Sequence, residues 1–184
     1  MKISNNPSVV RSQQWLYNSL IILMKEKPFD SISIGEITKN AGLDRATFYR
    51  NFNSKEDILN VGILKIRNKY MEVLKNSQSL NMEFLSFAFF TICNEEIDLL
   101  KLLHSQALSF LLLNQFNELL PQLHLSVKNK FSYQINDEYL LFALYYNTGG
   151  FYNILMKWIE GGCKESTQEL VESFIEIGKF NVSC

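Results

Sequence analysis

The side chains with the most chemistry to offer fall between residues 44 and 55: Asp44, Arg45, Tyr49, Arg50 and Lys55. Arg45 and Arg50 present rigid forks of N–H donors that match the acceptor pairs of guanine or phosphate. Tyr49 can give its O–H to a phosphate oxygen, or serve as a partly buried structural tyrosine. Asp44 can accept from cytosine, or simply cap a helix. Lys55 stands at the start of a helix, where backbone N–H groups also attract phosphate. No comparable set exists for catalysis. The chain has two histidines, no Ser/His/Asp set at recognisable spacing, no G-x-G-x-x-G, no P-loop and no H-E-x-x-H, so it reads as a protein that is not an enzyme. Cys93, Cys163 and Cys184 form no C-x-x-C pair, and no metal site or cofactor is expected. They read as free thiols of a reducing compartment, with Cys184, the last residue, open to adventitious oxidation.

The surrounding pattern supplies helices to hold these groups. Leu16, Leu20, Leu23 and Met24 mark one face of a helix over about residues 8–27, which Pro28 ends. Ser33 and Glu36 have capping-box spacing, and Ala41-Gly42 closes the short helix they start. Asp44 then caps a helix over 45–51, and Ser54 caps another running to about Asn76. Residues 34–50 therefore have helix-turn-helix anatomy. Ile37 and Ala41 face inward, Gly42 makes the turn, Leu43 plugs the angle, and Phe48 anchors the second helix. Asp44, Arg45, Ala46, Thr47, Tyr49 and Arg50 are left on or near the outer face, with Asn51 at its end. The second helix of such a pair enters the DNA major groove, where its first residues meet base edges.

The stretch from Gly35 to Leu59, with Phe48-Tyr49, Phe52 and Ser54-Lys55-Glu56, resembles the DNA-binding signature of the TetR family of transcriptional regulators. The resemblance spans roughly residues 8–65. Gly149-Gly150-Phe151 through Trp158 to Gly161-Gly162 further resembles a C-terminal domain of one branch of that family. The resemblance implies that Tyr49 and Lys55 hold phosphates, that Arg45, Ala46 and Thr47 lie nearest base edges, and that Ser33 touches the DNA backbone. It implies a homodimer on a palindromic operator, more often repressing than activating. It also implies a four-helix bundle from the last two long helices of each subunit, with Tyr146, Phe151, Trp158 and Phe174 as interface candidates. The chain departs from the family's usual residues at Thr38, Asp44, Ala46 and Asn51, which bears on operator preference.

The remainder also repeats with helical period, and only three prolines interrupt it. We expect an all-α protein of about nine or ten helices: a three-helix DNA-binding domain over 1–53 and a helical regulatory and dimerisation domain over 54–184. Helix-like patterns cover 83–93, the stretch after Pro121, a long helix from Asn136 or Asp137 to Gly161-Gly162, and a last helix capped by Ser166 and Glu169. Residues 95–116 are apolar, with breaks the pattern does not locate. Gly149-Gly150 costs about 2 kcal/mol in helix propensity against two alanines, so it marks either a close helix approach or a bend. The net charge is −1, split as +2 over residues 1–60 and −3 over the rest, in keeping with an N-terminal part that meets phosphate.

The start, Met1 to Pro7, is polar and lacks the apolar run of a signal peptide. The longest apolar stretches fall well short of the ~18 residues of a membrane span, so a soluble, cytoplasmic protein is expected. Its aromatic residues are mostly core. Some could line a small-molecule cavity, with His104 as a polar handle or as an ordinary satisfied histidine. A cavity would favour a small-molecule effector; a closed core would favour control by a protein partner.

Overall fold

The computed structural model describes residues 6–77, 81–121, 123, 125 and 137–180. Among these, all regular structure is helical. Helix α1 (Pro7–Glu26) starts with Asn6 accepting the Ser8 N–H at 3.0 Å and ends before Pro28. A 3-10 turn, Phe29–Ser31, then drops Phe29 and Ile32 into the core. Helix α2 (Ile34–Asn40) and helix α3 (Arg45–Asn51) follow, separated by a turn at Gly42. Gly42 has φ +67°, a left-handed conformation that costs glycine nothing. Across that turn the Leu43 N–H reaches the Thr38 carbonyl at 2.9 Å and seals the end of α2. Ser19, buried on α1, donates to the Ile37 carbonyl at 2.7 Å and ties α2 down.

Helix α4 (Lys55–Asn76) belongs to both halves of the molecule. Its first turns give Ile58 and Leu59 to the buried cluster that holds Phe48 and Phe52. Its later turns give Ile66, Tyr70 and Leu74 to the C-terminal half. The core is continuous along it, so residues 53 and 54 mark the start of a helix and no break in packing. The chain continues with α5 (Met82–Glu95), α6 (Ile97–Ser105), α7 (Phe110–Asn117), α8 (Asp137–Glu160) and α9 (Thr167–Phe180), of which α5 and α7 pack on α4. Helix α5 lies against α4 and α9, and α8 lies against α5, α6 and α7. Leu120 and Pro121 are helical, as a proline near a helix start allows. Asn136, one of the two expected caps of α8, lies outside the described residues.

The breaks between 95 and 116 fall at Glu96 and at residues 106–109. The second uses Ala107 at φ +57°, with the Leu108 N–H reaching the Leu103 carbonyl at 2.8 Å. This is the sealing pattern that usually takes glycine, here adopted by alanine at a cost of roughly 1 kcal/mol. Helix α8 runs unbroken through Gly149 and Gly150, so these glycines do not end it. It closes at Gly162, φ +85°, where the Cys163 N–H reaches the Trp158 carbonyl. No helix among the described residues is long and apolar enough to cross a membrane.

Candidate functional site

Each helix of the helix-turn-helix starts on a local cap. Glu36 accepts the Ser33 N–H at 2.9 Å while Ser33 Oγ accepts the Glu36 N–H at 3.2 Å. Glu36 also takes a very short hydrogen bond from Lys27. That bond, with the Ser33 bonds, holds the Glu36 carboxyl down to about 2. Asp44 accepts the Thr47 N–H, which lowers its carboxyl below the usual range and identifies it as the N-cap of α3. The Arg50 guanidinium lies 3.8 Å from Asp44 and donates to Thr47 Oγ1 at 2.6 Å. It is thereby folded back along the surface of α3.

The nine residues read as DNA-facing are not equivalent. Ser33, Asp44, Arg45, Ala46, Tyr49 and Arg50 are exposed on one side of the motif, Tyr49 at 57%. Thr47 and Asn51 are buried. Asn51 Nδ2 donates to the Thr47 carbonyl at 2.8 Å, which makes Asn51 an internal brace of α3. Thr47 falls one position before Phe48 and turns inward with it, so its hydroxyl reaches the surface only through Arg50. Neither position offers an open side chain to DNA. Arg45 lies across Gly35 of α2: a methyl group at Gly35 would meet Arg45 Nη2 at 2.6 Å.

Lys55 is more engaged than its spacing suggests. Its ammonium donates to the carbonyls of Phe29 at 2.9 Å and Ile32 at 2.8 Å, and sits 4.5 Å above the Phe29 ring. From the other side, Gln106 at the end of α6 reaches the same segment. Its Oε1 accepts the Phe29 N–H at 2.9 Å and its Nε2 donates to the Met24 carbonyl at 3.2 Å. The link between α1 and α2 is thus held by α4 and by α6 together. Sequence patterning missed Gln106, whose one signal is its place beside a helix break.

Gly62 is the second residue that spacing did not single out. A methyl group there would lie 2.5 Å from the Tyr17 hydroxyl on α1 and 2.7 Å from Leu99 Cδ2 on α6. Glycine lets three helices meet at one point. Burial, aided by Glu96, pushes the Tyr17 hydroxyl up to about 12. Gly62→Ala should therefore cost about 1–3 kcal/mol in overpacking, offset by up to ~1 kcal/mol of helix propensity. A lower urea midpoint at unchanged slope is the expected result; an unchanged or higher midpoint would contradict it.

Of the four residues expected at a subunit interface, Phe151 and Trp158 are buried within the chain. Trp158 Nε1 donates to the Glu165 carbonyl at 2.9 Å, which locks the α8–α9 turn. Phe174 is half-buried, its ring centre 4.6 Å from that of Phe151. Tyr146 alone of the four is well exposed, at 66%. Phe151 stacks on Phe89 and Trp158 closes the α8–α9 turn, so both are used within the protomer. Tyr139, Phe142 and Ile177 are exposed on the same two helices, and a methyl group at Gly149 would meet nothing in this chain.

Beneath them lies a cavity of about 340 Å³ between α4, α5, α7 and α8. Tyr70, Phe89, Phe116 and Phe151 form its aromatic wall, with Phe89 stacked on Phe151 at 5.3 Å. Leucines and methionines form most of the remainder, and Asn81, Asn147 and Thr148 add neutral polar groups. His104 is half-buried on α6 and is not part of this lining. Among the described residues no cluster of His, Cys, Asp and Glu could hold a metal ion. Cys93 is buried and Cys163 half-buried, both as free thiols; Cys184 lies outside the described residues.

Residues 21–61 match the family described as bacterial regulatory proteins, tetR family. Residues 81–179 match a family described as transcriptional regulator C-terminal region. No curated protein sequence matches the chain significantly. Solved structures share its fold. Lin0861 from Listeria innocua aligns at TM-score 0.79 and 16% identity, over 98% of this chain and 96% of its own. The dihydroxyacetone kinase operon activator DhaS aligns at TM-score 0.56 and 20% identity, over 90% and 93%. The transcriptional regulator FadR from Bacillus subtilis, in complex with stearoyl-CoA, aligns at TM-score 0.55 and 14% identity, over 89% and 96%.

Proposed function

This chain belongs to the tetR family of bacterial regulatory proteins, and from that premise we propose that it is a homodimeric repressor whose hold on a palindromic operator is set by a small-molecule effector. The observation that carries the effector reading is the aromatic-walled cavity, which touches α4 at Tyr70 and Met71. The same helix begins at Lys55, inside the DNA-binding half. An effector that fits one position of α4 better than another shifts the separation of the two recognition helices, and so the DNA affinity. A closed core would have favoured the alternative, control by a protein partner.

On DNA, Arg45 and Ala46 approach base edges, while Tyr49, Arg50 and Ser33 hold phosphates. Lys55 positions the 29–32 segment, and Thr47, Asn51 and Asp44 hold α3 in shape. Dimerisation uses the exposed outer faces of α8 and α9, with Tyr146 and Gly149 central. Two recognition helices then span successive major grooves about 34 Å apart or a multiple of it.

The test is binding to the DNA just upstream of its own gene across a salt series. Wild-type protein should bind specifically, with affinity falling steeply as salt rises. Arg45→Ala should lose about 1–3 kcal/mol of discrimination between operator and random DNA. Tyr49→Phe should weaken binding to both DNAs alike. Weak, sequence-blind binding by wild type there and on every sequence selected from random DNA would move the reading to the partner-controlled alternative.

A further inference from the structure

We infer that the effector of this chain is electrically neutral: an apolar molecule with at most a hydroxyl- or amide-like polar end, and neither a carboxylate nor a phosphate ester. The inference deepens the effector reading above and rests on it. The described lining of the cavity contains no Lys, Arg, His, Asp or Glu. Its ionisable group is Tyr70, whose hydroxyl is buried and donates to the Leu85 carbonyl at 3.4 Å. An anion moved from water into such a lining loses its hydration and meets no counter-charge among the described lining residues. A neutral polar group loses far less and finds partners here.

Asn147 and Thr148 are neighbours on α8, and Asn81 caps α5, its Oδ1 accepting the Phe84 N–H at 2.8 Å. Asn147 Nδ2 donates to the Ala143 carbonyl at 2.8 Å, which leaves its Oδ1 suited to accept from a ligand hydroxyl or amide. The polar groups are few and the apolar wall extensive, the arrangement that fixes a ligand's orientation while burial supplies its affinity. The aromatic wall of Phe89 and Phe116 suits an alkyl chain or a flat ring equally.

The experiment compares 1-decanol with decanoate at pH 7 on the full chain, without DNA, by calorimetry and by shift in melting temperature. Decanol is expected to bind at least tenfold more tightly than decanoate and to raise the melting temperature as ligand linkage requires. Ala143→Phe, which narrows the cavity from α8, is expected to remove the decanol shift while leaving the unliganded melting temperature within a few degrees. Decanoate binding as tightly as decanol, decanol binding that survives Ala143→Phe, or no binding of either would overturn the inference. Because no DNA is present, these outcomes are independent of operator recognition. In a second arm with operator DNA added, decanol binding that leaves operator affinity unchanged would uphold the ligand class and defeat the effector reading instead.

Discussion

Replacement of Phe48 by alanine is expected to destabilise the DNA-binding half by about 3–5 kcal/mol and to abolish operator binding. Phe48 has no exposed surface, and its ring packs edge-on against Tyr49 at 5.1 Å and tilted against Phe52 at 6.1 Å. It is the main anchor of a helix of seven residues, too short to persist without tertiary packing. The cavity left by its removal would free α3 to rotate, taking Arg45 and Tyr49 off the groove. Small domains hold only about 5–15 kcal/mol in total, so a loss of this size is decisive. Phe48→Leu, which keeps most of the volume, should cost much less and retain binding. Urea titration with operator binding on the same samples checks both. A Phe48→Ala loss below about 1 kcal/mol, or intact operator binding, would mean that α3 is anchored elsewhere.

Gln106→Ala should uncouple the two halves of the molecule. The substitution removes the acceptor from the Phe29 N–H and the donor from the Met24 carbonyl, leaving two partly buried backbone groups unpaired. Such losses cost about 1–3 kcal/mol, the same size as typical coupling between an effector and a second site. On the proposed reading, effector and operator should each still bind, but the effector's influence on operator affinity should fall toward none. Gln106→Glu keeps an acceptor for Phe29 and loses the donor to Met24, so it should lie between alanine and wild type. Full coupling in Gln106→Ala would place the transmission in α4 alone, through Lys55.

The fold is an economical case of sequence punctuation. Ser33 with Glu36, Asp44, Ser54, and Ser166 with Glu169 set helix starts through bonds spanning three residues. Gly42 and Gly162 set helix ends through their own left-handed backbone. These are local energies, and the amino-acid order alone specifies them. The family signature between Gly35 and Leu59 is local in the same sense, so the helices and the turn of the DNA-binding half were legible, though not the surroundings of each side chain.

What the amino-acid order left undecided was everything that depends on residues far apart in the chain. The break at 106–109 carries no glycine or proline. Ala107 tolerates its left-handed backbone there, where Gln106 bonds residues 77 and 82 positions away. Lys55 reads from the sequence as a phosphate ligand, and its bonds to the carbonyls of Phe29 and Ile32 have no signature in a sequence. Thr47 and Asn51 fall within a run of exposed positions, yet the approach of α3 to the core buries them. Phe151 and Trp158 had the right character for an interface, and only packing assigned them to the protomer's own core. The cavity has the same origin. Periodicity shows which residues leave water, while the distance between four helices determines whether the space they enclose is filled.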